Sequence, residues 1–122
     1  MSQTILIVDD SPTVVKFLAL SLKSKGYNIV AACDGMDALE KLSTLAEDVD
    51  LIITDLNMPN LDGYGLIKAV RQNRHTTPII ILSSEEDDED QQRGMEVGAN
   101  SYLVKPFKPA VLLGEVSRQL ES

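Results

Sequence analysis

Apolar residues along this chain fall into two alternating patterns, short unbroken runs and longer stretches with helical spacing. The runs are Ile5-Leu6-Ile7-Val8, Leu51-Ile52-Ile53-Thr54, Ile79-Ile80-Ile81-Leu82 and Tyr102-Leu103-Val104, with Tyr27 to Ala32 as one more strand. Several β-favouring residues in a row, with no polar alternation, suit a strand covered on both faces. Between the runs, Val14, Val15, Phe17, Leu18 and Leu22 make one broad helical face. Ala38, Leu39, Leu42 and Leu45 form a second stripe, and Leu66, Ile67 and Val70 a third. Leu112, Leu113, Val116 and Leu120 repeat the spacing near the end of the chain.

Local signals bound these elements. Ser11 is a good N-cap, Pro12 suits a first helical position, and Gly26 ends the first helix. Asp34-Gly35 makes a turn before the second helix, and the third fades in Gln72-Asn73-Arg74-His75. Thr77-Pro78 leads into the fourth strand. A fourth helix is expected from Glu86 to Val97, stopped by Gly98, and a last one from about Pro109 to Leu120.

Strands alternating with helices throughout predict a parallel sheet with helices on both faces. Right-handed crossovers then select an α/β fold with a doubly wound five-stranded sheet, most simply of order 2-1-3-4-5, as in flavodoxin-like proteins. No repeat, low-complexity tract or linker interrupts residues 1–122, which read as one domain with no tail.

Composition narrows the function classes. The formal net charge is -8, from 19 acids against 11 bases, which argues against direct DNA or RNA binding. No apolar run is long enough to span a bilayer, and the N-terminus reaches a strand without a leader pattern. One cysteine, Cys33, excludes an internal disulfide, fits the cytoplasm, and reads as a small packed residue. Aromatics are only 4% of residues, so the core must be aliphatic.

The candidate chemistry sits where the runs end. Asp9-Asp10 follows the first strand, Asp55 the third, Ser83-Ser84 the fourth and Lys105-Pro106 the fifth, counting Tyr27 to Ala32 as the second. Open α/β sheets place their ligand crevice at these carboxyl ends. Two adjacent carboxylates beside a third repel one another unless a cation neutralises them or their pKa values rise. Hard oxygen ligands favour Mg²⁺. Such a metal beside hydroxyls and a Lys suits phosphoryl transfer, with Asp55 as nucleophile.

These residues spell a known pattern. Val8-Asp9-Asp10, Asp55 with Met58-Pro59 and Asp62-Gly63, Ser83, and Lys105-Pro106-Phe107 resemble the receiver domains of two-component response regulators. The resemblance covers essentially the whole chain, in the manner of a single-domain, CheY-like receiver without an output domain. It implies that Asp55 accepts phosphate from a phosphohistidine on a sensor histidine kinase or phosphotransfer protein. It also implies Mg²⁺ held by Asp10, Asp55 and the Asn57 carbonyl, with Asp9 helping through water. Ser83 takes the switch position, Lys105 pairs with the phosphoryl group, and Tyr102 is the switch aromatic. The Lys105-Pro106 bond would be cis. Asn57 and Glu85 occupy the positions that tune self-dephosphorylation, and imply a short-lived phosphoryl group. The output would be a partner-binding surface on the fourth helix, fifth strand and last helix.

Some positions depart from the common pattern or stay open. Ser83 is Ser rather than Thr and lacks a methyl to restrict it, and Ser84 stands where Ala is usual. The six acids Glu85-Glu86-Asp87-Asp88-Glu89-Asp90 can be a solvated first turn or a surface for a basic partner. His75 has no metal-ligand neighbour and reads as a surface residue. Nothing in the pattern decides where Tyr64 faces.

Three other readings compete. A metabolic phosphatase with an aspartyl nucleophile needs a second acid two residues on, where Asn57 stands. A flavodoxin-like cofactor binder needs a Ser/Thr/Gly phosphate loop where Asp9-Asp10 stands. A degenerate, phosphate-independent receiver acting as an interaction module is the more serious rival, although no motif is missing.

Overall fold

The computed structural model describes residues 3–44, 49–73, 76–84 and 88–121. In chain order the elements are β1 (Thr4–Val8), α1 (Pro12–Lys23), β2 (Asn28–Ala32), α2 (Gly35–Thr44) and β3 (Leu51–Thr54). They continue as α3 (Gly63–Asn73), β4 (Ile79–Ser83), α4 (Asp88–Val97), β5 (Ser101–Val104) and α5 (Pro109–Glu121). The sheet is parallel throughout, in the order β2-β1-β3-β4-β5. Leu45, His75 and Glu85 lie outside the described residues, as does the expected start of the fourth helix at Glu86.

The pleat sorts each apolar run onto two cores, because successive strand side chains point to opposite faces. Leu6, Val8, Ile52, Ile79 and Ile81 pack with Ala38, Leu42, Leu66, Ile67 and Val70 beneath α2 and α3. Ile5, Ile7, Leu51, Ile53, Ile80 and Leu82 pack with Leu18, Leu22, Leu112 and Val116 beneath α1 and α5. Burial on both faces is why these strands read as unbroken apolar runs.

Two details differ from the pattern in the sequence. Phe17 is not in the core but 45% exposed, and its ring meets Phe107 at 6.5 Å between centroids. The face of α1 that touches the sheet is therefore narrower, centred on Leu18 and Leu22. The first helix also ends at Lys23, three residues before Gly26, which takes φ +90° where the chain reverses into β2. Turn bonds from Lys25 N–H to Leu22 O and from Gly26 N–H to Lys23 O fill the interval.

Candidate active site at the carboxyl edge

Register brings the reactive residues level. Val8 stands beside Thr54, and the Asp55 N–H donates to Val8 O at 3.0 Å, so Asp9 and Asp55 leave the sheet side by side. Asp9, Asp10 and Asp55 each offer a carboxylate oxygen, and these atoms all lie within 4.8 Å of one another. Asp9 is buried, Asp55 half-buried and Asp10 exposed, so the cluster opens to solvent on the Asp10 side. Lys105 reaches in from the end of β5, with Nζ 3.2 Å from Asp9 Oδ2 and 3.6 Å from Asp55 Oδ2. Its own N–H donates to Ser83 O at 2.8 Å, and the Lys105-Pro106 peptide bond is cis.

Backbone donors fix the remaining carboxylate oxygens. The Ser11 N–H donates to Asp9 Oδ1 at 2.9 Å, and the Leu56 N–H to Asp55 Oδ1 at 2.7 Å. Asp9 is thus held between a helix entrance and an ammonium. Ser11 also caps α1, with its Oγ accepting from Val14 N–H. Burial pushes the Asp55 carboxyl above its ordinary value and the Asp9 charge adds to that, while Lys105 and the Leu56 N–H pull it down. An acid cluster in that condition favours a hard divalent cation, and three carboxylates with an open side fit Mg²⁺.

The loop after β3 is held rather than loose. Leu56 is buried, and the Gly63 N–H donates back to Leu56 O at 2.9 Å. A Cβ on Gly63 would collide with the Asp55 carbonyl oxygen and would lie 2.8 Å from Leu56 Cα. Asp62 caps α3 by accepting from Gly65 N–H at 2.8 Å. Asn60, at φ 69°, donates from Nδ2 to Asp34 Oδ2 at 2.7 Å. Asp34 also accepts from Asp37 N–H at 2.8 Å, and these bonds hold its carboxyl below the ordinary range. The Asp34-Asn60 tie was not legible from motifs, where Asp34 reads only as a turn residue.

The other candidate residues are placed as follows. Ser83 ends β4 fully buried, with the parity of Ile79 and Ile81, on the face that α2, α3 and α4 cover. Tyr102 on β5 is half-buried and packs against the same core. Asn57 is exposed in the loop after β3. Cys33 is exposed rather than packed, because it follows the last residue of β2 at the open edge beside Asp10. It helps line a cavity of about 270 Å³ between that edge and α2, together with Asp37 and Lys41.

Comparison with known proteins agrees with this geometry. Residues 5–117 match the model of the response regulator receiver domain. The chain is 39% identical over 109 residues to the alkaline phosphatase synthesis transcriptional regulatory protein PhoP of Bacillus subtilis, covering 89% of this chain and 45% of that one. It is also 39% identical over 116 residues to the response regulator ArlR of Staphylococcus saprophyticus, covering 95% and 51%. The chain spans about half or less of the length of these curated relatives. The crystallised chemotaxis protein CheY4 of Vibrio cholerae superposes with a TM-score of 0.92 at 38% identity, over 98% of this chain and 100% of that one. A match running from the first strand into the last helix leaves no part of the sheet to another fold, and the chain belongs to the response regulator receiver domain family.

Proposed function

We propose that this receiver takes a phosphoryl group onto Asp55 from a phosphohistidine of a sensor histidine kinase or phosphotransfer protein, and so switches a partner-binding surface. The observation that carries the reading is the convergence of Asp9, Asp10 and Asp55 oxygens within 4.8 Å, with Lys105 bridging two of them. Asp10, Asp55 and the Asn57 carbonyl would hold Mg²⁺, with Asp9 assisting through water. A cation held by these residues would supply charge neutralisation for the carboxylate and phosphoryl oxygens.

The chain's own residues would do the rest. The Leu56 N–H keeps the Asp55 carboxylate oriented, and an Asp55 oxygen attacks phosphorus in line. The new O–P bond forms as the P–N bond of the donor breaks, and the leaving imidazole takes a proton from solvent. Lys105, shared between Asp9 and Asp55, turns to a phosphoryl oxygen, and the Ser83 hydroxyl donates to another. Ser83 and Tyr102 share the sheet face beneath α4, which is the route from Asp55 to a surface of α4, β5 and α5. Asp88, Glu89 and Glu96 lie exposed on α4 and would favour a basic protein partner over DNA. Among the described residues no helix is long and apolar enough to cross a membrane.

The test is intact mass after incubation with acetyl phosphate, with and without Mg²⁺, alongside Asp55→Asn. A metal-dependent gain of one phosphoryl group, absent in the variant, is expected. No gain from acetyl phosphate or from a phosphohistidine donor would leave a phosphate-independent interaction module. Asn57 together with Glu85 further implies a short-lived phosphoryl group, and a phosphoprotein stable for hours at neutral pH would count against that.

A further inference from the structure

Helix α4 is poorly anchored by its own sequence. Gly94 is its one buried residue, set where a Cβ would come within 2.7 Å of Ile81 Cδ1, whereas α3 buries Gly63, Leu66, Ile67 and Val70. Past its C-terminal end, Arg71 of α3 fastens the chain by donating from Nε and Nη2 to Gly98 O, at 2.9 and 2.8 Å. Toward its N-terminal half, Tyr64 of α3 makes a polar attachment to it. Its hydroxyl lies 3.2 Å from Asp90 O and 3.4 Å from Asp90 Oδ1, and the Arg93 guanidinium carbon sits 4.0 Å above its ring. Burial and then the Asp90 charge raise the phenol to about 12, so it remains a hydrogen-bond donor at neutral pH.

The other end of this attachment is the nucleophile's own backbone. Tyr64 directly follows Gly63, whose Cα faces the Asp55 carbonyl so closely that no Cβ fits. We infer that Tyr64 is a positioning residue that couples the Asp55 loop to α4, through its phenol on Asp90 and its ring under Arg93. A displacement at Asp55 is passed through Gly63 to the Tyr64 ring and on to the first half of α4. The Arg71 bonds meanwhile keep the chain after the helix in place, so α4 pivots about its C-terminal end. This coupling rests on the reading of Asp55 as phosphoacceptor. A neutral hydrogen bond and a half-exposed cation–π contact together bias a two-state position by about three- to thirty-fold.

The experiment is amide hydrogen exchange on the full chain, with Mg²⁺ and with or without beryllofluoride as the phosphoryl mimic, for wild type, Tyr64→Phe and Arg93→Gln. Tyr64→Phe removes one oxygen and keeps the ring, while Arg93→Gln keeps Tyr64 and removes the cation. In the absence of beryllofluoride, amides of residues 88–94 should exchange about three- to ten-fold faster in each variant, with those of α5 unchanged. The change that beryllofluoride causes in residues 88–94 should shrink by about half or more. A uniform loss of stability would speed exchange in α5 as well and overturn the inference. So would a response to beryllofluoride in both variants equal to that of wild type. A wild-type protein that takes neither beryllofluoride nor a phosphoryl group defeats the phosphoacceptor reading instead. If Tyr64→Phe does not fold, Arg93→Gln reads the same amides.

Discussion

The Lys105 ammonium stands 3.6 Å from the Asp55 carboxylate, yet burial and the nearby Asp9 charge leave the Asp55 carboxyl pKa above its ordinary value. The native state therefore holds on to this proton more tightly than the unfolded chain does. As pH rises from the ordinary carboxylate value through the raised one, stability is lost, because the folded protein must bury a charge that the unfolded chain leaves in water. In a chelator, Asp55→Asn should be more stable than wild type at neutral pH, by on the order of 1 kcal/mol. The difference should shrink near pH 3.5. Urea denaturation at the two pH values checks this, and equal midpoint shifts at both would contradict it.

Glu115 gives the opposite sign. Hydrogen bonds from Arg118, Gln119 and Ser101 lower its carboxyl to about 2. Its contribution is present above the ordinary carboxylate value and disappears as pH falls from there toward about 2. Arg118 is well exposed, so solvent screens the pair. Glu115→Gln should cost about 1 kcal/mol at neutral pH and nothing near pH 2, measured by the same denaturation series.

Gly63→Ala forces a methyl against the Asp55 carbonyl oxygen and Leu56 Cα, both backbone atoms that cannot step aside cheaply. A loss of about 2–4 kcal/mol is expected, with phosphoryl acceptance impaired even where the protein stays folded. Retention of full acceptance at unchanged stability would show that the loop after β3 is softer than its bonds imply.

Arg71 is half-buried and joins three segments: it donates to Gly98 O, to Thr77 O at 2.7 Å and to Asn100 Oδ1 at 2.8 Å. Asn100 Oδ1 in turn accepts from Ile79 N–H at 2.9 Å. Arg71→Met keeps much of the aliphatic stem and removes the donors. The Gly98 and Thr77 carbonyls would lose their side-chain partner, at a cost of about 2–3 kcal/mol. Faster amide exchange concentrated at residues 98–101 would mark that cause.

The order β2-β1-β3-β4-β5 and the residues ending β1, β3 and β5 were legible because strands covered on both faces cannot alternate with polar residues. An acid or ammonium that ends such a run marks the sheet edge. Phe17 was misjudged because helical spacing gives the direction of a face but not its width. On α1 that width depends on where α5 and Phe107 lie, which local sequence does not carry. Cys33 was misjudged because the usual burial of free cysteine outweighed its position one residue past a strand. Arg71 was passed over, and Tyr64 left undecided, for another reason. Their partners lie 26 to 29 residues away for most of the bonds, and neither residue interrupts the apolar stripe of α3.

The strand order has one more consequence. The acids come from β1 and β3 and their ammonium from β5, the last strand, so Lys105 closes on Asp9 across 96 residues of sequence. A chain still emerging from the ribosome, or one nicked before β5, would carry Asp9 and Asp55 without the cation that pairs with them. If Asp55 takes the phosphoryl group as proposed, competence there doubles as a certificate of completeness: a fragment ending before β5 displays the acid cluster but lacks the ammonium that the finished sheet sets against it.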